Sequence, residues 1–280
     1  NVMAGQFKVF NRQFLTSSGA LQMIDRSQVS EIFMFWQDEY KRGVAIHSKD
    51  ILEGKIDYMI SVQNPEKRYT DNSVNTLLYI ARASYYPFGP YKGYKESDYE
   101  YTDSFKAHIG GGFGFQQIGN SADGDSDEID HTQFLAELGF KYKGFSFMSE
   151  YHNRQRKLLD ALETDDNLLL GLSSAIAALP AKTKLHDQGF FAQAGYMLLP
   201  KRLELTGRYD IIDYDDEHPE AGSIGRIFNK TFYTAGINYF LHGRDHKIQA
   251  NVIRENERFG GAYFGDNNET TVLTQYMINF

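Results

Sequence analysis

The stretch His131-Thr132-Gln133-Phe134-Leu135-Ala136-Glu137-Leu138-Gly139-Phe140-Lys141-Tyr142-Lys143-Gly144-Phe145-Ser146-Phe147-Met148-Ser149-Glu150-Tyr151-His152-Asn153-Arg154-Gln155 decides the fold. In its first half Phe134, Ala136, Leu138, Phe140 and Tyr142 form one set. Gln133, Glu137, Gly139 and Lys141 fall between them. The second half repeats the pattern, with Phe145, Phe147, Ser149 and Tyr151 against Ser146, Met148, Glu150, His152 and Arg154. Side chains of a strand alternate between its faces, so each half is a strand with one apolar and one wet face. Only Lys143 and Gly144 separate the halves, which makes a tight hairpin.

Outward from this hairpin the same period recurs. Twelve runs lie near 4–11, 41–48, 53–63, 76–87, 105–117, 131–142, 145–155, 188–199, 202–212, 230–241, 246–256 and 270–280. Most are about ten residues, the length of a tilted strand that crosses a bilayer. The connections alternate in length. Long ones are Gln117 to Asp130, Gln155 to Gln188, Asp213 to Lys230 and Asn256 to Thr270. Short ones are Lys143-Gly144, Leu199-Pro200-Lys201 and Gly243-Arg244-Asp245. Long loops on one side and short turns on the other are the asymmetry of an outer-membrane barrel. Pro87 to Asp103 is the exception, long but on the short-turn side.

Composition agrees. The 280-residue chain has 19 Tyr, 21 Phe and 25 Gly but no Cys, which excludes disulfide scaffolds, thiolate metal sites and cysteine nucleophiles. A formal charge of −8 argues against nucleic acid as a partner. Mean hydropathy of −0.49 argues against a helical membrane protein. The longest apolar stretch, Leu168 to Leu179, is interrupted by Gly171, Ser173 and Ser174. A spanning helix needs about 20 apolar residues. A transmembrane β-barrel passes these tests, because its lipid face is hidden in alternation. The expected fold is therefore all-β, one antiparallel transmembrane β-barrel domain over 1–280 with 12 visible strands.

Several segments resemble the phosphate-selective porin O and P family of Gram-negative outer membranes. They are Gly5-Gln6-Phe7-Lys8-Val9 with Leu15-Thr16-Ser17-Ser18 and Asp25-Arg26-Ser27, and then Arg42-Gly43-Val44. Further on come Gln193-Ala194-Gly195-Tyr196 through Pro200-Lys201-Arg202-Leu203-Glu204-Leu205 to Arg208-Tyr209-Asp210. Gly236-Ile237-Asn238-Tyr239-Phe240 and His246-Lys247-Ile248-Gln249-Ala250 follow in the same order. The resemblance implies a sixteen-stranded barrel that assembles as a homotrimer, with about four strands ahead of the Gly5-Gln6-Phe7-Lys8 strand. A closed twelve-stranded barrel is the alternative. The resemblance also implies passive passage of small anions, phosphate-like ones included, past a constriction loop at 11–40. That loop carries or adjoins Arg12, Arg26, Lys41 and Arg42, with Asp25, Glu31, Asp38 and Glu39 against them. A long extracellular loop is expected at 156–187. The final Phe280 closes an alternating strand. It resembles the tag that outer-membrane proteins present to the barrel-assembly machinery. Outer-membrane lipid and lipopolysaccharide are the expected surroundings.

Charges facing lipid cost about 2–4 kcal/mol at mid-bilayer, so alternation assigns polar sets to the lumen. The basic residues in that phase are Lys8, Lys55, Arg82, Lys106, Lys141, Arg154, Arg202, Arg208 and Lys247. The acidic ones are Asp57, Glu137, Glu150, Glu204 and Asp210. Nine against five leaves a positive wall that would concentrate anions. The other reading is that bases and acids on neighbouring strands, such as Lys141 and Glu150, neutralise each other. A register slip of one residue would exchange either set.

Other constellations lead elsewhere. Asp123-Gly124-Asp125-Ser126-Asp127-Glu128 has oxygen-ligand spacing but not the twelve-residue calcium-loop pattern, so a solvated loop is expected and no metal. Gly110-Gly111-Gly112-Phe113-Gly114 lacks the Lys-Ser/Thr and helix of a phosphate loop. Small wall residues that make room for the inward loop are expected there. Leu158 to Leu179 has Leu-rich helical spacing and suits either a helix over the mouth or a flexible loop. It favours a rival function, a barrel whose long loops bind a partner. His108 and His152 sit in lumen phase on separate strands and assemble no catalytic set. Neither catalysis nor a cofactor is expected.

Overall fold

The alternation along 131–142 becomes two faces of a wall. His131, Gln133, Leu135, Glu137, Gly139 and Lys141 are buried, while Phe134, Leu138 and Tyr142 stand exposed on the other side. The structure is a computed structural model that describes residues 1–8, 12–34, 40–64, 77–91, 95–119, 128–158, 184–214, 226–260 and 265–278. Its strands are β1 (Val2–Lys8), β2 (Tyr40–Ile51), β3 (Ile56–Asn64), β4 (Leu78–Tyr85), β5 (Lys106–Gly119) and β6 (Glu128–Tyr142). Then come β7 (Phe145–Leu158), β8 (Lys184–Leu199), β9 (Leu203–Asp213), β10 (Arg226–Phe240), β11 (His246–Gly260) and β12 (Gly265–Ile278). They form one 12-stranded sheet in sequence order, each strand antiparallel to the next. Two short helices, α1 (Arg12–Leu15) and α2 (Gln28–Ile32), lie between β1 and β2.

All twelve expected runs are strands, and several continue further. β7 runs to Leu158 and β8 starts at Lys184, so the loop expected at 156–187 loses residues at both ends. Ladder pairing continues where the outward side chains have turned polar, as Asn153↔Gln188 and Lys157↔Lys184 do. The apolar signal stops at the lipid belt, whereas backbone hydrogen bonding does not. The remaining 159–183, most of Leu158–Leu179, the acidic run at 123–127 and Phe280 lie outside the described residues.

The hairpin at Lys143-Gly144 has φ of 47° and 82°. Both values are left-handed, as a two-residue type I′ turn requires, and glycine takes the second position without penalty.

The outer face is a surface for lipid. Val44, Ile46, Ile60, Ile109, Leu205, Ile237 and Val252 are exposed along it. Near the short-turn end aromatic rings gather. Phe140 stacks on Phe145 and Phe147 with centroids 5.6 and 5.2 Å apart, and Phe105 and Tyr142 lie beside them. Aromatic rings at a bilayer interface form such girdles. We expect Leu138→Arg to cost about 2–4 kcal/mol, read as a lower urea midpoint for the vesicle-inserted protein. An unchanged midpoint would mean that this face does not meet hydrocarbon.

The wall is curved. The segment 12–34 hydrogen-bonds to residues on every strand from β6 to β11. Gln22 alone bonds to residues on the five strands β7 to β11, which neighbours about 4.8 Å apart allow only if the wall bends around it. β1 and β12 are the sheet's edges, and among the described residues no ladder joins them. Closure of a twelve-stranded barrel is thus not detected among the described residues.

Candidate functional site

The inner face carries the charge. Its buried bases among the described residues are Lys41, Arg82, Lys141, Arg154, Arg156, Arg208 and Lys247. Its buried acids are Asp57, Glu96, Asp98, Glu137, Glu150, Asp187, Glu204 and Asp210. Seven bases face eight acids, so there is no excess of positive charge among the buried side chains. The five acids read from the sequence are all buried here.

The nine bases divide. Arg82, Lys141, Arg154, Arg208 and Lys247 are buried on the inner face. The other four sit at strand ends or turns. Lys55 is exposed in the β2–β3 turn, and Arg202 is exposed in the β8–β9 turn, where it donates to the Leu241 carbonyl at 3.4 Å. Lys106 opens β5 and donates to the Phe88 carbonyl at 2.8 Å. Lys8 is half-buried, with Nζ 4.9 Å from the centre of the Tyr40 ring. At turns the ladder stops imposing an inside and an outside, so period two cannot place them.

The constriction set also shifts. Arg42 lies on β2, not in a loop, and its side chain is exposed in phase with Val44 and Ile46. Its neighbour Lys41 takes the inward phase. Arg26 spends its guanidinium within its own segment, donating to the carbonyls of Gln13 (3.3 Å) and Thr16 (3.4 Å). Arg12 opens α1, and its side chain lies outside the described residues.

The segment 12–34 crosses the interior on the inner face. On the long-loop side, Gln133 donates to the Phe33 carbonyl at 2.6 Å, and Arg154 donates to the Ile32 carbonyl at 2.8 Å. Phe33 and Val29 pack with Phe191, Ile212, Tyr214 and Phe232. Midway, Ser27 donates to Asp210, and Arg208 donates to the carbonyls of Asp25 (2.8 Å) and Arg26 (3.1 Å). On the short-turn side, Lys247 donates to the Leu21 carbonyl at 2.6 Å, and Gln22 donates to Glu204 at 2.6 Å and Ser146 at 2.8 Å. Bases that alternation points at passing anions are thus hydrogen-bonded to main-chain carbonyls of the segment. Two glycines of β8 make the fit. A Cβ on Gly189 would come within 2.5 Å of the Phe33 ring, and one on Gly195 would overlap the Gln22 amide.

Other inward charges pair across strands. Arg154 and Arg156 share Asp187, at 2.8 and 2.9 Å. Arg82 on β4 reaches Glu137 on β6 at 2.6 Å, across the intervening β5. Gly110 opposes Glu137 in the ladder, and a Cβ there would strike that carboxylate. The room at Gly110 is therefore taken by an ion pair, not by the inward loop. Sequence reasoning missed Arg156, Asp187, Glu96 and Asp98. The i, i+2 phase of Arg154 with Arg156, and of Asp187 with Gly189 and Phe191, is the signal that could have found the first two.

His108 is buried, its ring 4.8 Å from that of Tyr91. His152 has its ring nitrogens against Glu150 (3.0 Å) and Gln133 (3.2 Å), while the nearby Ser30 hydroxyl donates to Glu150. Both ring nitrogens thus have a carboxylate or an amide partner.

Beside the segment lies a cavity of about 280 Å³. Phe7, Lys8, Leu15, His47, Asp57 and Arg82 are among its lining residues, so it belongs to the β1–β4 side.

An antiparallel wall with an apolar outer face, a charged inner face and an inward segment defines the class of fold: an antiparallel β-barrel wall of the outer-membrane type. Solved structures share that fold. The outer membrane channel DcaP of Acinetobacter baumannii matches 99% of this chain and 71% of its own at TM-score 0.57 and 13% identity. An outer-membrane expressed OmpT of Vibrio cholerae matches 98% of this chain and 76% of its own at TM-score 0.51 and 10% identity. A porin refined at 1.8 Å covers 85% of this chain at TM-score 0.48 and 12% identity. No protein-family description matches the chain, and no curated protein does.

Proposed function

We propose that the chain is the wall of an outer-membrane porin, which passes small solutes by passive diffusion and performs no covalent chemistry. The observation that carries this reading is the two-faced wall with segment 12–34 fastened across its polar side. The segment narrows the interior and leaves the 280 Å³ cavity along β1–β4. The fold it shares with DcaP supports the same reading.

Anion preference needs bases in excess, and the described interior has seven against eight acids. We therefore assign weak charge selectivity: at the cavity Lys8, Lys49 and Arg82, with His47, face Asp57, and Arg82 is already paired with Glu137. The tie to the phosphate-selective porin O and P family belongs to this proposal, as do a homotrimer, lipopolysaccharide contact and recognition of Phe280 by the barrel-assembly machinery. So do strands that pair with the edges of β1 and β12, because an unpaired edge in hydrocarbon is costly.

The test is a planar-bilayer recording under a KCl gradient. The expected result is ohmic single-channel conductance with a reversal potential near zero, the chloride and potassium permeabilities agreeing within about threefold. Strong anion selectivity with block by phosphate would restore the basic-wall reading. A second reading, a plugged barrel whose long loops bind a partner, is favoured by the meeting of two inward segments described next. Absence of conductance would select it.

A further inference from the structure

The connection between β4 and β5 is the long one on the side of short turns, and it does not hang free. Among its described residues, 95–98 enter the interior and meet segment 12–34 from the opposite end. Glu96, Ser97 and Asp98 are each at most 5% exposed. The Glu96 backbone N–H donates to the Ala20 carbonyl at 3.1 Å. Its carboxylate accepts from the Gln22 backbone N–H (2.7 Å), from Gln193 Nε2 (2.8 Å) and from Gln13 Nε2 (3.3 Å).

The connection is fastened to the wall behind this contact. Lys141 donates to the carbonyls of Lys95 and Ser97. Asp98 accepts from the Gly144 backbone N–H at 2.8 Å, and the Lys143 N–H donates to the Thr102 carbonyl at 2.8 Å. Tyr99 lies edge-on to Phe240 at 5.0 Å, and the Arg244 guanidinium covers its ring at 5.5 Å. One end is thus bound to the β6–β7 and β10–β11 turns, and the other ends in a buried carboxylate on a different segment.

A buried carboxylate holding three N–H donors is costly to disengage, because each donor would be left without a partner. The geometry points to a latch: we propose that the β4–β5 connection locks segment 12–34 across the interior, with Glu96 as its positioning residue, so that release of Glu96 widens the passage. The effect on passage rests on the porin reading, whereas the latch itself does not.

The experiment uses the full chain in planar bilayers and, in parallel, amide hydrogen exchange. Glu96→Ala is expected to raise single-channel conductance roughly twofold and to speed exchange across residues 18–27 at least about tenfold. The β6–β7 peptides should keep their protection. Glu96→Gln, which retains an acceptor for the Gln22 N–H, should fall between wild type and Glu96→Ala. The chain has no native cysteine, so Ala20→Cys with Glu96→Cys gives a switchable tether on neighbouring backbones. Reduced, this double variant should behave as Glu96→Ala; oxidised, it should return to wild-type conductance. Exchange across 18–27 that Glu96→Ala leaves unchanged overturns the latch, whatever the conductance. Faster exchange with no current from any variant supports the latch and sinks the porin reading. Faster exchange with wild-type current overturns the claim that the latch sets the passage.

Discussion

Gly195→Val is expected to unseat the inward segment and open the interior. The Gly195 Cα faces Gln22, and any Cβ there falls on the Gln22 amide and close to Glu204. Gln22 has nowhere to retreat. Its side chain meets Ser146, Glu204 and Gln193, and its carbonyl accepts from Asn238 at 2.8 Å and Gln249 at 3.3 Å. Overpacking of this kind costs about 1–3 kcal/mol. The wall's ladders do not depend on residue 195 having no side chain, since β8 there is ordinary strand paired with Ser146 and Thr206. The strain is relieved most cheaply by expelling Gln22 and the turn around it. Single-channel conductance should rise roughly twofold or more, with larger solutes entering in liposome-swelling assays. Gly207→Val is the control. Gly207 is also on the wall, but its nearest neighbour to a new Cβ is 3.9 Å away, so its conductance should match wild type. Equal conductance for wild type and Gly195→Val, with both inserted, would mean that segment 12–34 does not limit passage.

Period two was enough to read twelve strands and their two faces, because every ladder exposes alternate residues to lipid and to water. It found the buried members Arg82, Lys141, Arg154, Arg208 and Lys247, which lie within ladders. It lost Lys55 and Arg202, where the chain turns, and it grouped Arg42 with Lys41 in the constriction set although only Lys41 faces inward. It did not see what these bases do. Alternation says that Arg208 faces inward, but only the folded chain puts the carbonyls of Asp25 and Arg26 at its guanidinium. Contacts between residues almost two hundred positions apart leave no period in the sequence. Glu96 escaped for the same reason: it belongs to no strand, and its partners are on a separate segment and on β8.

Asp187→Asn is expected to have the largest effect on stability. Asp187 is fully buried and is the shared carboxylate of Arg154 and Arg156, accepting from Arg154 Nε and both Nη2 atoms at 2.8–3.1 Å. Asparagine fits the space, so packing is kept and charge alone is lost. Two guanidiniums then lie within one buried cluster without their shared counter-ion. Breaking a buried pair in this way costs roughly 3–5 kcal/mol. Arg154 cannot swing away without cost, since its Nη1 holds the Ile32 carbonyl and its plane covers Phe33 at 4.8 Å. The loss should therefore reach the inward segment as well as the wall, as a lower urea midpoint together with faster exchange near α2. Electrostatics adds a second readout. Removing one acid from a nearly balanced interior shifts the potential toward positive, so the reversal potential in a KCl gradient should move toward chloride. The double variant Asp187→Asn with Arg156→Gln restores the balance at the same site and should recover most of the stability. A reversal potential that neither variant moves would place the conducting path away from the Arg154–Asp187 cluster, on the β1–β4 side alone.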